Sequence, residues 1–246
     1  MSNRLGREPD SYTAVTEEPC VPRWKRVLDI TLILLALPMI LPVALLVIAT
    51  IKWGSRGPLL FTQERIGWRG RPFKIYKFRT MVVNADTTTH SQHTQQLIQT
   101  DAPMIKMDAQ RDPRLIPGGR WLRATGLDEL AQLLNVLRGD MSLVGPRPCL
   151  EYEMKCYQPW HLERFDALPG LTGLWQVSGK NRTTFTEMME LDIYYARNVR
   201  LWLDIAILAW TLPALAVQVR DLRRKSTASL RRSRFGLGTL LLADER

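Results

Sequence analysis

The apolar stretch ITLILLALPMILPVALLVIATI, residues 30–51, is 22 residues long and carries no charge. As an α-helix rising about 1.5 Å per residue it would measure roughly 33 Å, close to the thickness of a bilayer's hydrocarbon core. A helix on a soluble domain normally has a polar face, and this stretch has none. It is also too long for the apolar part of a cleaved signal peptide. We therefore predict that it inserts into a membrane.

Basic residues flank this stretch on both sides. Three lie within residues 23–26, and residues 52–80 contain eight Lys and Arg against a single acid. Positive charge tends to stay on the cytoplasmic side, so a simple span would carry one basic cluster across the membrane. Pro38 and Pro42 each remove a backbone hydrogen bond near the middle of the stretch. These features favour a proline-broken, re-entrant helix with both ends in the cytoplasm; the alternative is a kinked single span.

Composition sets the class of the remaining chain. The protein has 246 residues, a formal net charge of +10 and 46% hydrophobic residues, which excludes general disorder. Its three cysteines have no paired spacing, which argues against a disulfide framework and against a zinc ribbon. We predict an α+β, mainly helical fold divided into a flexible tail (1–21), the membrane helix (22–53), a domain at the cytoplasmic face (54–217) and a polybasic tail (218–246).

Short patterns predict the elements of the domain at the cytoplasmic face. Residues 59–65 and 72–78 read as two strands of a small β-hairpin around the turn GWRG. Residues 127–138, LDELAQLLNVLR, repeat leucine at helical spacing and precede Gly139, so they predict a helix. Residues 186–198 also read as a helix.

The intervening segments carry weaker patterns. Residues 84–110 are rich in Thr, Gln and His and read as a polar helix or a mobile loop. Residues 140–148 read as a loop. Residues 168–181, LPGLTGLWQVSGKN, have three glycines among aromatic and polar side chains, which suggests a loop folded over a ligand.

A second apolar stretch, residues 201–219, is interrupted by Asp204 and Pro213 and contains two tryptophans. It is predicted to be an amphipathic helix lying at the membrane interface rather than spanning it. A carboxylate within an apolar helix is costly unless it is paired, so Asp204 is predicted to form a buried ion pair. Residues 220–246 hold eight Lys and Arg against three acids, a composition suited to anionic lipid.

The residues most suggestive of chemistry are Asp128 and Glu129, at the start of the predicted helix. Acids are favoured in a helix's first turn by the dipole alone, which is the structural alternative. Two adjacent carboxylates can also divide a reaction, one attacking phosphorus while the other holds a divalent cation or manages a proton. About twenty residues later, the turn Pro146-Arg147-Pro148 presents a guanidinium that can grip phosphate oxygens.

Ordered motifs across residues 22–217 resemble the bacterial sugar transferase family, the monotopic polyprenyl-phosphate sugar-1-phosphate transferases or phosphoglycosyl transferases. The matching motifs are KRVLD (25–29), GP (57–58), QERIG (63–67), FKIYKFRTM (73–81), DPR (112–114), LDEL (127–130), NVLRGDMSLVGPRP (135–148) and PGLTGLWQVSG (169–179). The chain is similar to the short form of the family, of the exopolysaccharide-priming type.

The resemblance implies a specific reaction. A hexose-1-phosphate would pass from a UDP-hexose to undecaprenyl phosphate, giving undecaprenyl-diphosphate-hexose and UMP, as the first membrane step of exopolysaccharide biosynthesis. By the family pattern Asp128 is the nucleophile and forms a covalent phosphosugar-enzyme intermediate. Glu129 is its partner and helps to position Mg²⁺, so both carboxylates are the expected metal ligands. The active site would face the cytoplasm at the bacterial inner membrane.

Further residues are assigned to phosphate or substrate binding by the same resemblance. Lys77, Arg79 and Arg147 are the candidates for neutralising the diphosphate. A solvated or lipid-facing basic strand is the alternative for the first two. Gln176 and Asp192, in later family blocks, are the remaining candidates for binding substrate.

Two other classes of function compete with the transferase. One is a non-catalytic, membrane-attached scaffold or regulatory subunit of a polysaccharide system. The other is a nucleic-acid-binding module, against which the sequence offers no recognised motif or stacking platform, so no nucleic-acid partner is expected. The expected partners are UDP-hexose, undecaprenyl phosphate and membrane lipids. Galactose and glucose stay open as the sugar, and a homodimer stays open as the oligomeric state.

Overall fold

A computed structural model describes residues 21–83, 88–104, 114–179, 183–217 and 220. The predictions for the N-terminal tail up to residue 20 and for the polybasic tail beyond residue 220 lie outside these residues. The helices are α1 (Arg23–Gly54), α2 (Thr88–Thr100), α3 (Gly119–Thr125), α4 (Leu133–Arg138), α5 (Glu151–Met154), α6 (Leu174–Val177), α7 (Phe185–Arg197) and α8 (Leu201–Val217). The strands are β1 (Leu60–Ile66), β2 (Pro72–Phe78), β3 (Ser142–Val144) and β4 (Gly170–Thr172).

The apolar stretch near the N-terminus forms one long helix. Among the described residues, α1 is the single helix long and apolar enough to cross a membrane. Helical structure continues through Pro38 and Pro42 without a gap. A re-entrant path would therefore need a bend within α1 rather than a loop between two helices, and it stays a prediction.

The two ends of α1 pack on the domain that follows, while its middle is exposed. Ile33 belongs to an apolar cluster with Val136 of α4. Val47 and Ile51 belong to another cluster that includes Ala131. Between these contacts lie several exposed apolar side chains: Leu34, Leu35, Met39, Leu41, Leu45 and Leu46. Exposing so many apolar side chains to water is unfavourable, so this surface is suited to an apolar environment.

The predicted hairpin is confirmed. β1 and β2 pair antiparallel, with Leu60 opposite Phe78 at one end and Ile66 opposite Pro72 at the other. The turn between them is a short 3-10 helix, Trp68–Gly70, in which Arg69 takes a left-handed conformation with φ of 50°. Ile75 of β2 is buried in the same cluster as Val136, so the hairpin packs on residues 127–138.

The helix predicted at residues 127–138 is confirmed, with a change of type along its length. Its first half, Leu127–Gln132, is a 3-10 helix that continues into α4. Gly126 precedes it with φ of 73°, and Gly139 ends it with φ of 91°. Both values lie in the left-handed region that glycine adopts without a steric penalty, so the two glycines delimit the segment.

The prediction of a plain loop at residues 140–148 is wrong for its centre, because β3 forms there and pairs in parallel with β4. This pairing crosses a long separation in sequence, which a local pattern cannot reveal. Gly145 permits it: a Cβ there would lie 2.1 Å from the carbonyl oxygen of Leu168. Residues 168–177 likewise contain β4 and α6, so they are more ordered than the predicted ligand-covering loop.

The remaining helical predictions agree with the structure. α7 covers the helix predicted at 186–198, and α2 provides the helical alternative for part of 84–110. α8 covers most of the second apolar stretch, with Trp202, Trp210 and Leu212 exposed. Its position at a membrane interface stays a prediction. The ion pair predicted for Asp204 is confirmed, and its partner is Lys25 in the first turn of α1.

Candidate functional site

Lys77 and Glu129 meet where β2 crosses the 3-10 helix Leu127–Gln132. The Lys77 ammonium donates to Glu129 Oε1 at 2.9 Å. Their side chains are 24% and 33% exposed, so the pair is open to solvent on one side. Lys77 was predicted as a phosphate partner and Glu129 as a member of a catalytic pair. The structure brings the two together, although 52 residues separate them in sequence.

Asp128 lies beside this pair but in a different environment. It is buried, whereas Glu129 is half-buried. Gly126 starts the turn that carries both carboxylates: its carbonyl oxygen accepts from the Glu129 amide at 3.0 Å. The two carboxylates of one turn therefore differ in burial, and Glu129 is the one that reaches Lys77.

Arg79 is placed differently from Lys77, although only one residue separates them. Its Nε donates to the carbonyl oxygen of Pro58 at 2.7 Å. Its two terminal nitrogens donate to the hydroxyl and the carbonyl oxygen of Ser55 at 3.2 and 3.3 Å. Arg79 therefore holds the connection between α1 and β1, and it is buried there. A role in binding phosphate stays a prediction.

Arg147 belongs to a buried cluster of arginines and acids. Its Nη1 lies 3.0 Å from Glu153 Oε2, and its side chain is a quarter exposed. Burial acts to raise the pKa of Glu153, but Arg147 and Arg65 outweigh it and hold that pKa below its usual value. Glu153 is thus an ionised carboxylate that accepts from both terminal nitrogens of Arg147 and fixes its guanidinium.

Asp192, predicted to bind substrate, is held within the same cluster by Arg164. Arg164 Nη2 lies 2.5 Å from Asp192 Oδ2 and 2.6 Å from the Arg147 carbonyl oxygen. Burial raises the pKa of Asp192, which Arg164 offsets only in part. Asp192 therefore supports the chain at Arg147 through Arg164.

Beside this cluster is a small cavity. It is lined by Ile66, Gly67, Pro146, Arg147, Pro148, Arg164, Phe165, Ala167 and Pro169. Gln176, the last predicted residue, lies in α6, and its Oε1 is buried without a hydrogen-bond partner among the described residues. A Cβ added to Gly173 would lie 2.7 Å from that oxygen. The Gln176 carbonyl oxygen is thus closed off from solvent in this structure, and its role in binding substrate stays a prediction.

α1 contacts the end of α4 through Arg26. Its guanidinium donates to the carbonyl oxygens of Val136 and Leu137, the last turn of α4. Carbonyl oxygens at a helix end have no partner within the helix and attract cations. The first turn of α1 thus holds the C-terminal end of the helical segment 127–138, whose first turn carries Asp128.

Several residues of this arrangement were not singled out from the sequence: Arg26, Asn135, Glu153 and Arg164. None of them offered a sequence signal for its partner. Arg26 contacts residues 110 and 111 positions away, Asn135 contacts β2 residues 59 and 61 positions away, and Arg164 contacts Asp192 28 positions away. Glu153 and Arg147 are six residues apart, which matches neither helix nor strand spacing.

Comparisons with known proteins find a matching family model and several relatives. A family model described as bacterial sugar transferase matches residues 21–218. The exopolysaccharide production protein ExoY of Sinorhizobium fredii is 37% identical over 193 residues, which cover 78% of this chain and 85% of that protein. The UDP-glucose:undecaprenyl-phosphate glucose-1-phosphate transferase of Caulobacter vibrioides is 42% identical over 199 residues, covering 78% and 69%.

A third relative extends well beyond the shared region. The undecaprenyl-phosphate galactose phosphotransferase of Salmonella typhimurium is 42% identical over 158 residues, which cover 62% of this chain but 32% of that protein. The similarity therefore concerns one region of that longer relative.

Proposed function

The chain belongs to the bacterial sugar transferase family, and we propose that it transfers a hexose-1-phosphate from a UDP-hexose to undecaprenyl phosphate. The products would be undecaprenyl-diphosphate-hexose and UMP, at the start of exopolysaccharide synthesis. The observation that carries the proposal is the Lys77–Glu129 contact beside Asp128, within a chain whose relatives are named as sugar-phosphate transferases.

The reaction would proceed in two displacements at one phosphorus atom. A carboxylate oxygen of Asp128 attacks the β-phosphorus of the UDP-hexose, a P–O bond forms to Asp128, and the bond to the bridging oxygen breaks. UMP leaves with that oxygen. A phosphate oxygen of undecaprenyl phosphate then attacks the same phosphorus and releases the Asp128 carboxylate. A covalent intermediate divides one difficult transfer into two easier steps.

The two carboxylates suit Mg²⁺. This cation prefers oxygen ligands and is commonly held by one or two carboxylates, with water and substrate phosphate completing its coordination. When bound by Asp128 and Glu129, Mg²⁺ would offset the negative charge of the diphosphate.

The cationic side chains would complete the neutralisation. Lys77 already contacts Glu129, so its ammonium stands next to the reacting carboxylates. Arg147 presents a guanidinium held by Glu153, which lowers the entropy lost when it grips a phosphate. Gln176 would have to change its side-chain conformation for its buried carbonyl oxygen to reach a sugar or base donor.

A re-entrant α1 at the cytoplasmic face of the inner membrane would bring a lipid phosphate to this site. Residues 127–138 span at most about 24 Å, yet they pack against both ends of α1. In a straight helix Arg26 and Val47 would be about 31 Å apart. The packing of both ends on one short segment supports a bend, and basic residues beyond each end oppose translocation of either end.

The proposal is tested by measuring UMP release. Purified protein in nanodiscs is incubated with Mg²⁺, undecaprenyl phosphate and either UDP-galactose or UDP-glucose. Wild type should release UMP with one of them, and Asp128→Asn should lose at least ~1,000-fold because the amide cannot replace the nucleophile. Asp166→Asn, a change of the same type at an exposed position, is the matched control.

A separate labelling experiment tests the covalent intermediate. Without undecaprenyl phosphate, a radiolabelled sugar phosphate should stay on the wild-type protein and be absent from Asp128→Asn. Absence of UMP release with both sugars would favour the scaffold instead, and full activity of Asp128→Asn would refute the role of Asp128.

A further inference from the structure

The outer edge of β2 is completed by a side chain rather than by a third strand. β2 pairs with β1 along one edge. On the other edge the Tyr76 amide donates to Asn135 Oδ1 at 3.1 Å, and Asn135 Nδ2 donates to the Lys74 carbonyl oxygen at 2.7 Å. These two backbone groups, two residues apart, are the ones a neighbouring strand would pair with. The Asn135 amide supplies the same donor and acceptor.

This contact ties the strand that carries Lys77 to the segment that carries Asp128 and Glu129. Glu129 and Asn135 are six residues apart, about 9–12 Å along a helix of this mixed type. Both contact β2: Glu129 contacts Lys77, and Asn135 contacts the backbone of Lys74 and Tyr76. The strand and the segment are therefore joined at two points, one at the candidate site and one behind it.

We propose that Asn135 is a positioning residue that sets the distance between Lys77 and the carboxylates of Asp128 and Glu129. The inference rests on the proposed function, because it concerns the same reaction. Asn135 is fully buried, and its side-chain amide contacts the backbone of residues 74 and 76 and the carboxylate of Asp140. It acts through the β2 backbone, since the amide holds residues 74 and 76 and thereby limits where residue 77 can lie.

The chemistry of position 135 favours this role over simple packing. Val136 and Ile75, its buried neighbours, are aliphatic, and an aliphatic residue would fill the space at 135 without the cost of burying an amide. An amide at this position is favourable because it satisfies two backbone groups that would otherwise be unpaired. Leucine would fill the site but leave the strand edge unheld.

A double-mutant cycle on UMP release tests the proposal. Lys77→Met is expected to lower kcat by ~100-fold and Asn135→Ala by ~10-fold or more. If Asn135 acts through Lys77, adding Asn135→Ala to Lys77→Met should cost less than ~3-fold further. A purely structural role would give losses that multiply, and that result would overturn the proposal.

Val136→Ala is the matched control. It removes buried volume from the same turn of α4 but leaves the β2 edge paired, so it should lower the melting temperature with kcat within ~2-fold of wild type. Equal losses of kcat in Val136→Ala and Asn135→Ala would also contradict the proposal.

Asn135→Ser serves if Asn135→Ala does not fold. It keeps a hydroxyl that can satisfy one of the two β2 backbone groups, so a smaller loss of kcat with the same dependence on Lys77 is expected. Wild type that releases no UMP would refute the proposed function. Active wild type with multiplying losses would refute the role of Asn135 alone.

Discussion

The Lys25 ammonium lies 2.5 Å from Asp204 Oδ2, which joins the first turn of α1 to α8. The two side chains are 3% and 1% exposed. Tyr195 donates to the other carboxylate oxygen at 2.7 Å, and Lys25 also donates to the Val144 carbonyl oxygen at 2.9 Å. Because Val144 is three residues before Arg147, this network connects the membrane helix to the chain that leads into the candidate site.

Replacement of Asp204 by alanine should destabilise the protein by roughly 3–5 kcal/mol, because it leaves the Lys25 ammonium buried without its counter-charge. The double variant Lys25→Met with Asp204→Leu should recover much of that loss, since no isolated charge remains. Urea unfolding in detergent followed by circular dichroism measures both. A double variant as unstable as Asp204→Ala would argue against this account.

Lys77→Met should reduce UMP release by ~100-fold, with most of the loss in kcat, because the ammonium is proposed to stabilise charge that develops on the transferring phosphate. Lys155→Met is the control, since Lys155 is an exposed lysine that pairs with the exposed Glu151 on α5. Steady-state kinetics with the preferred UDP-hexose distinguish the two variants. A loss confined to KM would instead assign Lys77 to ground-state binding.

A re-entrant α1 places both of its ends on one side of the membrane. Pro22→Cys and Trp53→Cys introduce single exposed thiols at the two ends, in a background without the native cysteines. A membrane-impermeant maleimide should label both in inside-out vesicles and neither in intact spheroplasts. Labelling of the two thiols from opposite sides would establish a span and exclude the re-entrant path.

His161 should make the protein less stable in acid. Burial, aided by Arg164, lowers the pKa of His161 from 6.5 to about 4, and the neutral ring accepts from the Gln158 amide at 2.9 Å. Between those two pH values the unfolded chain binds a proton that the folded chain does not, so stability falls as the pH decreases from about 6.5 to 4. Unfolding free energies measured across this range should decrease less in His161→Gln. An unchanged pH dependence in that variant would assign the acid sensitivity to other groups.

Patterns among residues close in sequence were sufficient to predict much of the fold. The charge-free stretch predicts α1, the turn GWRG predicts the β1–β2 hairpin, and leucine spacing with Gly139 predicts the helix at residues 127–138. Each depends on hydrogen bonds or an apolar face formed by residues close in sequence. The need for a partner at Asp204 was also predictable, because burying a carboxylate in an apolar helix is unfavourable until some cation neutralises it, whichever residue supplies that cation.

The identity of each partner required the tertiary structure. The sequence alone predicted the long apolar helix, the hairpin, the helix bearing Asp128 and Glu129, and the motifs of the family. Tertiary structure decided that Lys77 meets Glu129, that Arg79 holds the connection after α1, and that Asn135 completes β2. Local elements follow from interactions within a few residues, whereas these contacts form only once distant segments pack. Hydrogen bonds act over about 3 Å, so a pairing between distant residues depends on the completed packing.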